Sequence, residues 1–326
     1  MIKIKKSLLV GFALLASTFY AEAQQDAQYS QYMFNSLVIN PAYAGYKGTL
    51  NASGLYRIQY VDVPGGPVTQ SIVLDGSFFD DKVGLGLTVV KDKIGLQEQS
   101  SAFLNFAYKL TVGDGATLAF GLGAGVGQYK YNGGQAEYDD PNDPTLGLGT
   151  ASYISPDLRA GIHYSTDKFY AGLSSTNLIS SFINNGSTAK DEIVKQGRHI
   201  FLTAGYLLDF GSFVKYKPSF LIKEDTKAPT NLDINNFFLF GEKVWLGVSY
   251  RTSVNVFKKG TVGNVKYSDA LVGLIEIYAS PGVRIGYAYD HSLNALKGFD
   301  NGSHEISLGI TFGPKARPVI LSPRYF

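Results

Sequence analysis

The sequence has no cysteine, a single tryptophan, four histidines and no run of 18 consecutive apolar residues. Without cysteine, the chain can form neither a disulfide framework nor a thiolate metal site. The histidines (His163, His199, His291 and His304) have no histidine neighbour at i+2 or i+4, so a zinc site has no support. Without a long apolar run, the mature chain is not expected to have a transmembrane helix.

The first 23 residues have the pattern of a secretory signal peptide. Three lysines lie within residues 3–6, residues 8–16 (LLVGFALLA) form a short apolar core, and residues 21–23 (AEA) match a cleavage site. The apolar core is too short for a membrane anchor, which needs about 20 residues. We therefore expect an exported chain that begins at Gln24, and because this residue is not cysteine, a lipoprotein anchor is excluded.

The charge of the chain gives no sign of a nucleic-acid partner. The net charge is +2, and the signal peptide contributes three lysines and one glutamate, so the mature chain has a net charge of zero. No basic excess remains that would attract phosphate groups.

From about residue 48 onward, apolar residues repeatedly alternate with small or polar residues. In residues 117–127 (TLAFGLGAGVG) every second residue is apolar, and glycine occupies four of the intervening positions. The same period of two recurs in residues 83–89, 158–164, 283–289 and 305–312. This period is typical of β-strands whose two faces meet different environments.

Two all-β folds fit this pattern, a soluble sandwich and a membrane barrel. Three features favour the barrel: segments of about 9–12 residues suit tilted spanning strands, tight and long connections alternate, and many segments end in aromatic residues. These aromatic residues are Tyr56, Tyr60, Phe78, Phe79, Tyr129, Tyr131 and Tyr289. We therefore predict a multi-pass outer-membrane β-barrel with an apolar outer face and a polar, wet lumen.

The predicted fold is all-β: a single transmembrane antiparallel β-barrel of about fourteen strands, with twelve to sixteen possible. A signal peptide (1–23) and a short ordered N-terminal segment (24–47) precede the barrel (48–312). A C-terminal tail (313–326) follows it, and its three prolines cannot donate to a sheet ladder. The strands are predicted to begin near residues 48, 67, 82, 97, 116, 156, 168, 198, 212, 230, 243, 265, 281 and 303.

Two segments superficially resemble ligand-binding motifs. The glycines of residues 121–127 lack the GxGxxG spacing and the following helix of a dinucleotide loop. We interpret them as a small-residue face that lets the strand curve or lets something pack closely inside. Residues 137–144 (EYDDPNDP) are acidic, but Pro144 occupies a ligand position of a calcium loop, and we interpret them as a solvated external loop. No Ser/His/Asp set or carboxylate pair stands out, so we predict no enzyme activity, cofactor or metal.

A series of blocks resembles one protein family. Residues 28–45 (QYSQYMFNSLVINPAYAG) closely resemble the opening signature of the PorP/SprF family of outer-membrane proteins of type IX secretion and gliding motility. Further similar blocks are GLYRIQY (54–60), GPVTQ (66–70), RHIFLTAGY (198–206), KPSFLIK (217–223), LGVSYR (246–251), AYDHSLN (288–294) and GSHEISLGI (302–310). One departure is Tyr60, where the family commonly has tryptophan.

The resemblance implies a non-enzymatic component of the type IX secretion system that receives, helps secrete or anchors a large surface protein. Such a partner, for example a gliding adhesin, would bind through its C-terminal domain. One alternative is a core component coupled to the periplasmic ring and motor, and another is a passive channel or transporter. The expected partners are therefore the adhesin-like protein, the translocon with periplasmic ring and lipoprotein components, and outer-membrane lipid.

Two regions are candidates for contact with a partner. The first consists of the long connections, residues 132–150, 181–196, 222–230 and 251–267. The second is the N-terminal block, which either contacts a partner or plugs the barrel. Its aromatic, polar and turn-forming candidates are Tyr29, Gln31, Tyr32, Phe34, Asn35, Asn40, Pro41 and Tyr43.

Overall fold

The computed structural model describes residues 27–113, 115–135, 150–179, 197–225, 229–254 and 268–313. In these ranges the chain forms four short 3-10 turns, at Tyr32–Phe34, Ser36–Val38, Pro41–Tyr43 and Gly133–Gln135. It also forms fifteen strands: β1 (Leu50–Ile58), β2 (Val68–Phe78), β3 (Val83–Ile94), β4 (Gln97–Thr111), β5 (Thr117–Asn132), β6 (Thr150–Ser165), β7 (Phe169–Thr176), β8 (His199–Tyr206), β9 (Leu208–Phe210), β10 (Val214–Asp225), β11 (Thr230–Phe240), β12 (Val244–Val254), β13 (Ser268–Ser280), β14 (Val283–Ser292) and β15 (Ser303–Phe312).

The strands close into one antiparallel barrel, in which β1 pairs with β15 and β10 pairs with β11. The short strand β9 follows β8 after Leu207, and both pair with β10. Both keep the same register with β10, so the two are one strand with an interrupted ladder, and the barrel has fourteen strands as predicted. Among the described residues, no helix is long and apolar enough to cross a membrane.

Pro218 explains the break between β8 and β9. It pairs with Asn236 of β11 on one side of β10. On the other side, pairing stops at Ser219 with β8 and resumes at Tyr216 with β9. Because proline has no N–H to donate, the ladder is interrupted where Pro218 would face β8.

The predicted strand starts agree with the structure except for β6, which begins at Thr150 and not near Pro156. Pro156 lies inside the strand opposite Val126 of β5, whereas pairing with β7 begins only at Ala160. A proline is tolerated in a strand where only one edge is paired. The predicted start was wrong here, because Pro156 lies within the paired part of β6.

The outer face of the barrel carries an apolar band. On β5, Phe120, Leu122 and Val126 are exposed, while the glycines between them face the lumen. Exposed aromatic residues, among them Phe78 and Phe79, lie where the short turns are, as at a membrane interface. The interface role predicted for Tyr129 is wrong. Tyr129 lies on the same face of β5 as the lumenal glycines, and its side chain is buried.

The two ends of the barrel differ in the length of their connections. At one end, the short-turn end, residues 79–82, 112–116, 166–168, 211–213, 241–243 and 281–282 join the strands. At the other, the long-loop end, the connections are residues 59–67, 133–149, 177–198, 226–229, 255–267 and 293–302, with one tight turn at 95–96. In bacterial barrels short turns face the periplasm and long loops face outward, which orients the chain.

The apolar core lies inside the barrel. Residues 27–48, here called the inner segment, precede β1 and run through the lumen. Their buried side chains form one cluster with lumenal side chains of the strands, such as Phe201, Val272 and Trp245. Beyond its 3-10 turns, the inner segment has no regular structure, so its polar backbone groups need partners from the wall.

Candidate functional site

The eight N-terminal residues singled out from the sequence all lie in the inner segment, and all are buried. They are Tyr29, Gln31, Tyr32, Phe34, Asn35, Asn40, Pro41 and Tyr43. The structure therefore brings together in the lumen residues that the sequence could only group by position.

Asn40 and Pro41 set the path of the inner segment. The side chain of Asn40 accepts a hydrogen bond from Ala42 N at 2.9 Å and so caps the turn that Pro41 begins. The amide of Asn40 also donates to the carbonyl oxygen of Ile162 on β6, at 3.1 Å. One side chain thus shapes the inner segment and attaches it to the wall.

Glycines of the wall allow the inner segment to approach the strands closely. A Cβ atom at Gly86 of β3 would lie 2.6 Å from Leu37 Cδ2. At Gly84 of β3 and Gly121 of β5, a Cβ atom would overlap the backbone of residues 44 and 42. The sequence left two roles open for the glycines of residues 121–127: to let the strand curve, or to let something pack closely inside. For Gly121 the structure shows close packing.

Phe34 is the aromatic centre of the inner segment. Its ring lies 6.3 Å from that of Phe237 in an edge-on arrangement and 6.4 Å from that of Trp245. The ammonium of Lys217 lies 5.5 Å from the Phe34 centroid. Such ring pairs stabilise by about 0.5–1.5 kcal/mol beyond their burial, and cation–π contacts contribute about 0.5–2 kcal/mol.

A second aromatic contact surrounds His163 of β6. Its ring centroid lies 4.1 Å from that of Tyr43 and 4.8 Å from that of Tyr46. His163 and His199 face the lumen as their position on the polar strand faces predicted, but they are 1% and 0% exposed. The prediction of a wet lumen is wrong at these two positions, because side chains fill the space that water was expected to occupy.

Toward the long-loop end, charged wall residues bind the start of the inner segment. Arg57 Nη2 lies 2.8 Å from Asp290 Oδ2, and Nη1 lies 3.2 Å from Glu305 Oε2. Arg251 Nη1 also reaches Asp290, at 3.2 Å. Ser30 joins this network, since its hydroxyl donates to Asp290 at 2.7 Å and accepts from Arg57 at 2.8 Å.

Glu305 binds the inner segment through its backbone. Its two carboxylate oxygens accept hydrogen bonds from Ser30 N at 2.8 Å and Gln31 N at 2.7 Å. The guanidinium of Arg251 donates to the carbonyl oxygen of Tyr29 at 3.3 Å and pairs with Asp233 at 3.0 Å. These buried charges are therefore paired and also satisfy backbone groups of a segment without regular structure.

Sequence reasoning did not single out the charged residues of this network. Arg57, Arg251, Asp290 and Glu305 all fall within the blocks used for the family resemblance. A usable signal was present, because each lies on the small or polar face of an alternating strand, which predicts a charge directed into the lumen.

At the short-turn end, the last part of the inner segment is held by β2 and β4. Gly45 N donates to Asp75 Oδ2 at 3.0 Å, and Lys109 Nζ donates to Gly45 O at 2.6 Å. The inner segment thus extends from the charged network near the long-loop end to the opposite end of the lumen, where β1 begins.

The inner segment meets the wall around the whole barrel. It makes hydrogen bonds or ring contacts with β1, β2, β4, β6, β7, β10, β11, β12, β14 and β15. It packs on glycines of β3 and β5, and it shares the apolar cluster with side chains of β8 and β13. Two cavities at its surface each have about 30 Å³, enough for little more than water.

The candidate loops are only partly within the described residues. Residues 136–149, 180–196, 226–228 and 255–267 lie outside them, and so does the acidic segment 137–144. Within 222–230 and 251–267, the structure corrects the prediction at the edges: β10 extends to Asp225 and β12 to Val254. Arg251 is a buried lumenal residue and not part of an exposed loop.

Several solved structures resemble the chain at low sequence identity. The outer membrane protein Omp33 of Acinetobacter baumannii is 10% identical, with 81% of this chain and 98% of that chain covered and a TM-score of 0.45. The CymD monoaromatic hydrocarbon channel is 12% identical over 88% and 94%, with a TM-score of 0.46. A TodX mutant, also a monoaromatic hydrocarbon channel, is 11% identical over 85% and 92%, with a TM-score of 0.47.

The family comparison is more specific. No curated protein matches the chain. The model of the family "Type IX secretion system membrane protein PorP/SprF" matches residues 21–310. With the closed barrel and its outward apolar band, this match assigns the chain to the outer membrane as a β-barrel. The chain belongs to the PorP/SprF family of type IX secretion system membrane proteins.

Proposed function

We propose that this barrel is a non-enzymatic anchor that receives a large secreted protein, such as a gliding adhesin, through the C-terminal domain of that protein. The observation that carries the proposal is the inner segment, which touches the wall around the whole barrel. A channel needs an open path past its constriction. A barrel filled in this way is suited to holding a partner at its rim, with the inner segment acting as a plug.

The described part of the long-loop end supplies a candidate rim surface. The connections 59–67 and 293–302 are joined there, because Val61 N donates to Gly302 O at 2.9 Å and Asn301 N donates to Val61 O at 3.0 Å. Beside this junction, the side chain of Phe299 is 79% exposed. Aromatic residues, phenylalanine included, are enriched at protein interfaces.

The proposal is tested by purifying the tagged barrel from native membranes in mild detergent and identifying the proteins that remain bound. We expect recovery of one very large secreted protein, and loss of it when its C-terminal domain is deleted. Recovery of periplasmic ring and lipoprotein components alone would instead support a core role in the secretion machine.

A pair of variants locates the contact. Phe299→Ser should lower recovery of the secreted protein several-fold while the barrel remains in the outer membrane. Phe79→Ser is the matched control, since Phe79 is 77% exposed at the short-turn end. Equal recovery with both variants would place the contact elsewhere.

Planar bilayer recordings separate the anchor from a channel. The purified protein should carry no large steady current, because the inner segment fills the lumen. Large steady currents from the unmodified protein would overturn the anchor proposal and favour a passive channel.

A further inference from the structure

Three exposed lysines lie close together on the outer face of the barrel, toward the long-loop end. Lys91 and Lys93 are two residues apart on β3, and Lys130 lies on β5. Because alternate residues of a strand share a face, these lysines point outward with the exposed apolar residues Val89 of β3 and Val126 of β5. We call Lys91, Lys93 and Lys130 the lysine face.

Strand pairing brings the three lysines together around one carboxylate. Glu98 of β4 lies between Lys93 and Lys130, because it is in register with Lys93 on β3 and with Lys130 on β5. Paired residues on neighbouring strands are about 5 Å apart, so the backbones at Lys93 and Lys130 are about 10 Å apart. Lys91 lies diagonally across from Glu98, and its Nζ reaches Glu98 Oε1 at 3.0 Å.

The lysine face carries more positive charge than its neighbours neutralise. Glu98 pairs with Lys91, whereas Lys93 and Lys130 form no ion pair with any residue that the structure describes. Asp92 lies between the two lysines of β3 in the sequence, but it points to the opposite face of the strand. Its carboxylate accepts a hydrogen bond there from a buried threonine of β2. Three ammonium groups and one carboxylate therefore leave two positive charges on an exposed surface.

The lysine face lies at the edge of the apolar band. On β5 the outward residues are apolar from Leu118 to Val126, and Gln128 and Lys130 follow. With about 3.3 Å per residue and a tilt of about 40°, the stretch from Leu118 to Val126 covers about 20 Å of an apolar band that is about 25 Å tall. The next outward side chains are therefore at the level of the lipid headgroups. Since long loops face outward, these headgroups belong to the outer leaflet.

We propose that the lysine face binds the phosphorylated headgroup of a glycolipid in the outer leaflet. The phosphate supplies the negative charge that Lys93 and Lys130 lack, and clusters of lysine beside a membrane are suited to anionic lipids. Lysine stems can lie along an apolar surface while their ammonium groups reach the headgroup. The acyl chains of the same lipid lie along Val89 and Val126, which are 39% and 50% exposed. A free anion would gain nothing from this apolar surface, so its continuity with the lysine face favours a lipid.

The test measures binding of diphosphorylated lipid A to the full-length protein in a neutral detergent, with dephosphorylated lipid A as the comparison. Native mass spectrometry counts the lipid molecules that stay bound. Each lysine beside an anionic lipid surface strengthens binding by about fivefold, so we expect the unmodified protein to prefer the phosphorylated lipid by at least about tenfold. Equal binding of the two lipids would overturn the proposal. This comparison does not depend on any variant folding.

A triple variant locates the binding on the lysine face. Lys91→Gln, Lys93→Gln and Lys130→Gln together remove the three ammonium groups and keep side chains of similar length. Binding of the phosphorylated lipid should weaken by at least about tenfold, to the level of the dephosphorylated lipid. Unchanged binding would reject the lysine face as the site.

The matched control changes the net charge equally at the other end of the barrel. It replaces three exposed lysines of the short-turn end with glutamine: Lys82, Lys168 and Lys243. The control should bind the phosphorylated lipid as the unmodified protein does. An equal loss in both triple variants would mean that the net charge of the protein attracts the lipid, and it would contradict a local site.

Inorganic phosphate separates a lipid site from a site for a free anion. Sodium phosphate equimolar with lipid A, added at constant ionic strength, should leave lipid binding unchanged. Displacement of the lipid under these conditions would reject the lipid as the ligand. None of these results depends on the anchoring of a secreted protein, so this inference and the proposed function can fail separately.

Discussion

The ring of Phe34, in the inner segment, lies 6.4 Å from the indole of Trp245 on β12. Trp245 is the only tryptophan in the sequence, and it is completely buried. A single buried indole beside the inner segment makes the tryptophan fluorescence of this protein a report on whether that segment is in place.

Replacing Phe34 should loosen the inner segment without opening the barrel wall. Phe34→Ala removes a buried ring, and such truncations cost about 3–5 kcal/mol. The emission of Trp245 should shift to longer wavelength, and its quenching by acrylamide should increase as water enters the lumen. Phe299→Ala is the control, because Phe299 is exposed on a loop and its loss should leave the emission unchanged.

Adding a side chain at Gly121 should displace the inner segment by steric overlap with the barrel wall. Gly121→Val would drive methyl groups into the backbone at residues 41 and 42, and overpacking of this kind costs about 1–3 kcal/mol or more. We expect the variant to assemble as a barrel and to show channel openings in planar bilayers. Gly273→Val is the control, since nothing lies within 4 Å of a Cβ atom at Gly273. If Gly121→Val carries no current in planar bilayers and its tryptophan emission is unchanged, then close packing on Gly121 does not hold the inner segment in place.

The barrel could be predicted from sequence because period-two alternation is a local property. Each strand carries its own pattern, as residues 117–127 illustrate, so fourteen strands could be counted without knowing their partners. The same alternation can be followed to Tyr129, and it places the side chain of Tyr129 on the lumenal face of β5. The interface role assigned to it was wrong because residue type was given more weight than strand phase.

The site could not be predicted in the same way, because it depends on contacts between distant parts of the chain. Ser30 and Glu305 are 275 residues apart, and nothing in either local sequence indicates that they meet. The inner segment has no periodicity, since it forms no sheet ladder and its polar backbone is satisfied by its own short turns and by wall residues. Its eight candidates could be grouped only as a block, and their burial in the lumen required the closed barrel.

The charged network gives a prediction about stability. Asp290 is in contact with Arg57 at 2.8 Å and with Arg251 at 3.2 Å, and all three are buried. Asp290→Asn leaves two buried guanidinium groups with less negative charge, and breaking a buried pair costs about 3–5 kcal/mol. The midpoint of guanidinium-induced unfolding should fall clearly.

A surface pair provides the contrast for Asp290. Asp209 lies 3.2 Å from Lys168, and both side chains are about half exposed. Asp209→Asn should change the stability by no more than about 1 kcal/mol, because exposed ion pairs contribute little. Equal midpoints for the two variants would mean that the lumenal network does not hold the fold together.

The absence of cysteine allows the orientation of the barrel to be tested cleanly, because any introduced thiol is the only one in the protein. Phe299 is exposed at the long-loop end, and Asp167 is exposed in the turn between β6 and β7 at the short-turn end. If long loops face outward, a membrane-impermeant maleimide should label Phe299→Cys on intact cells and Asp167→Cys only after lysis. The reverse pattern would place the short turns outside. It would also move the candidate rim surface around Phe299 to the periplasm, where it could not hold a protein at the cell surface.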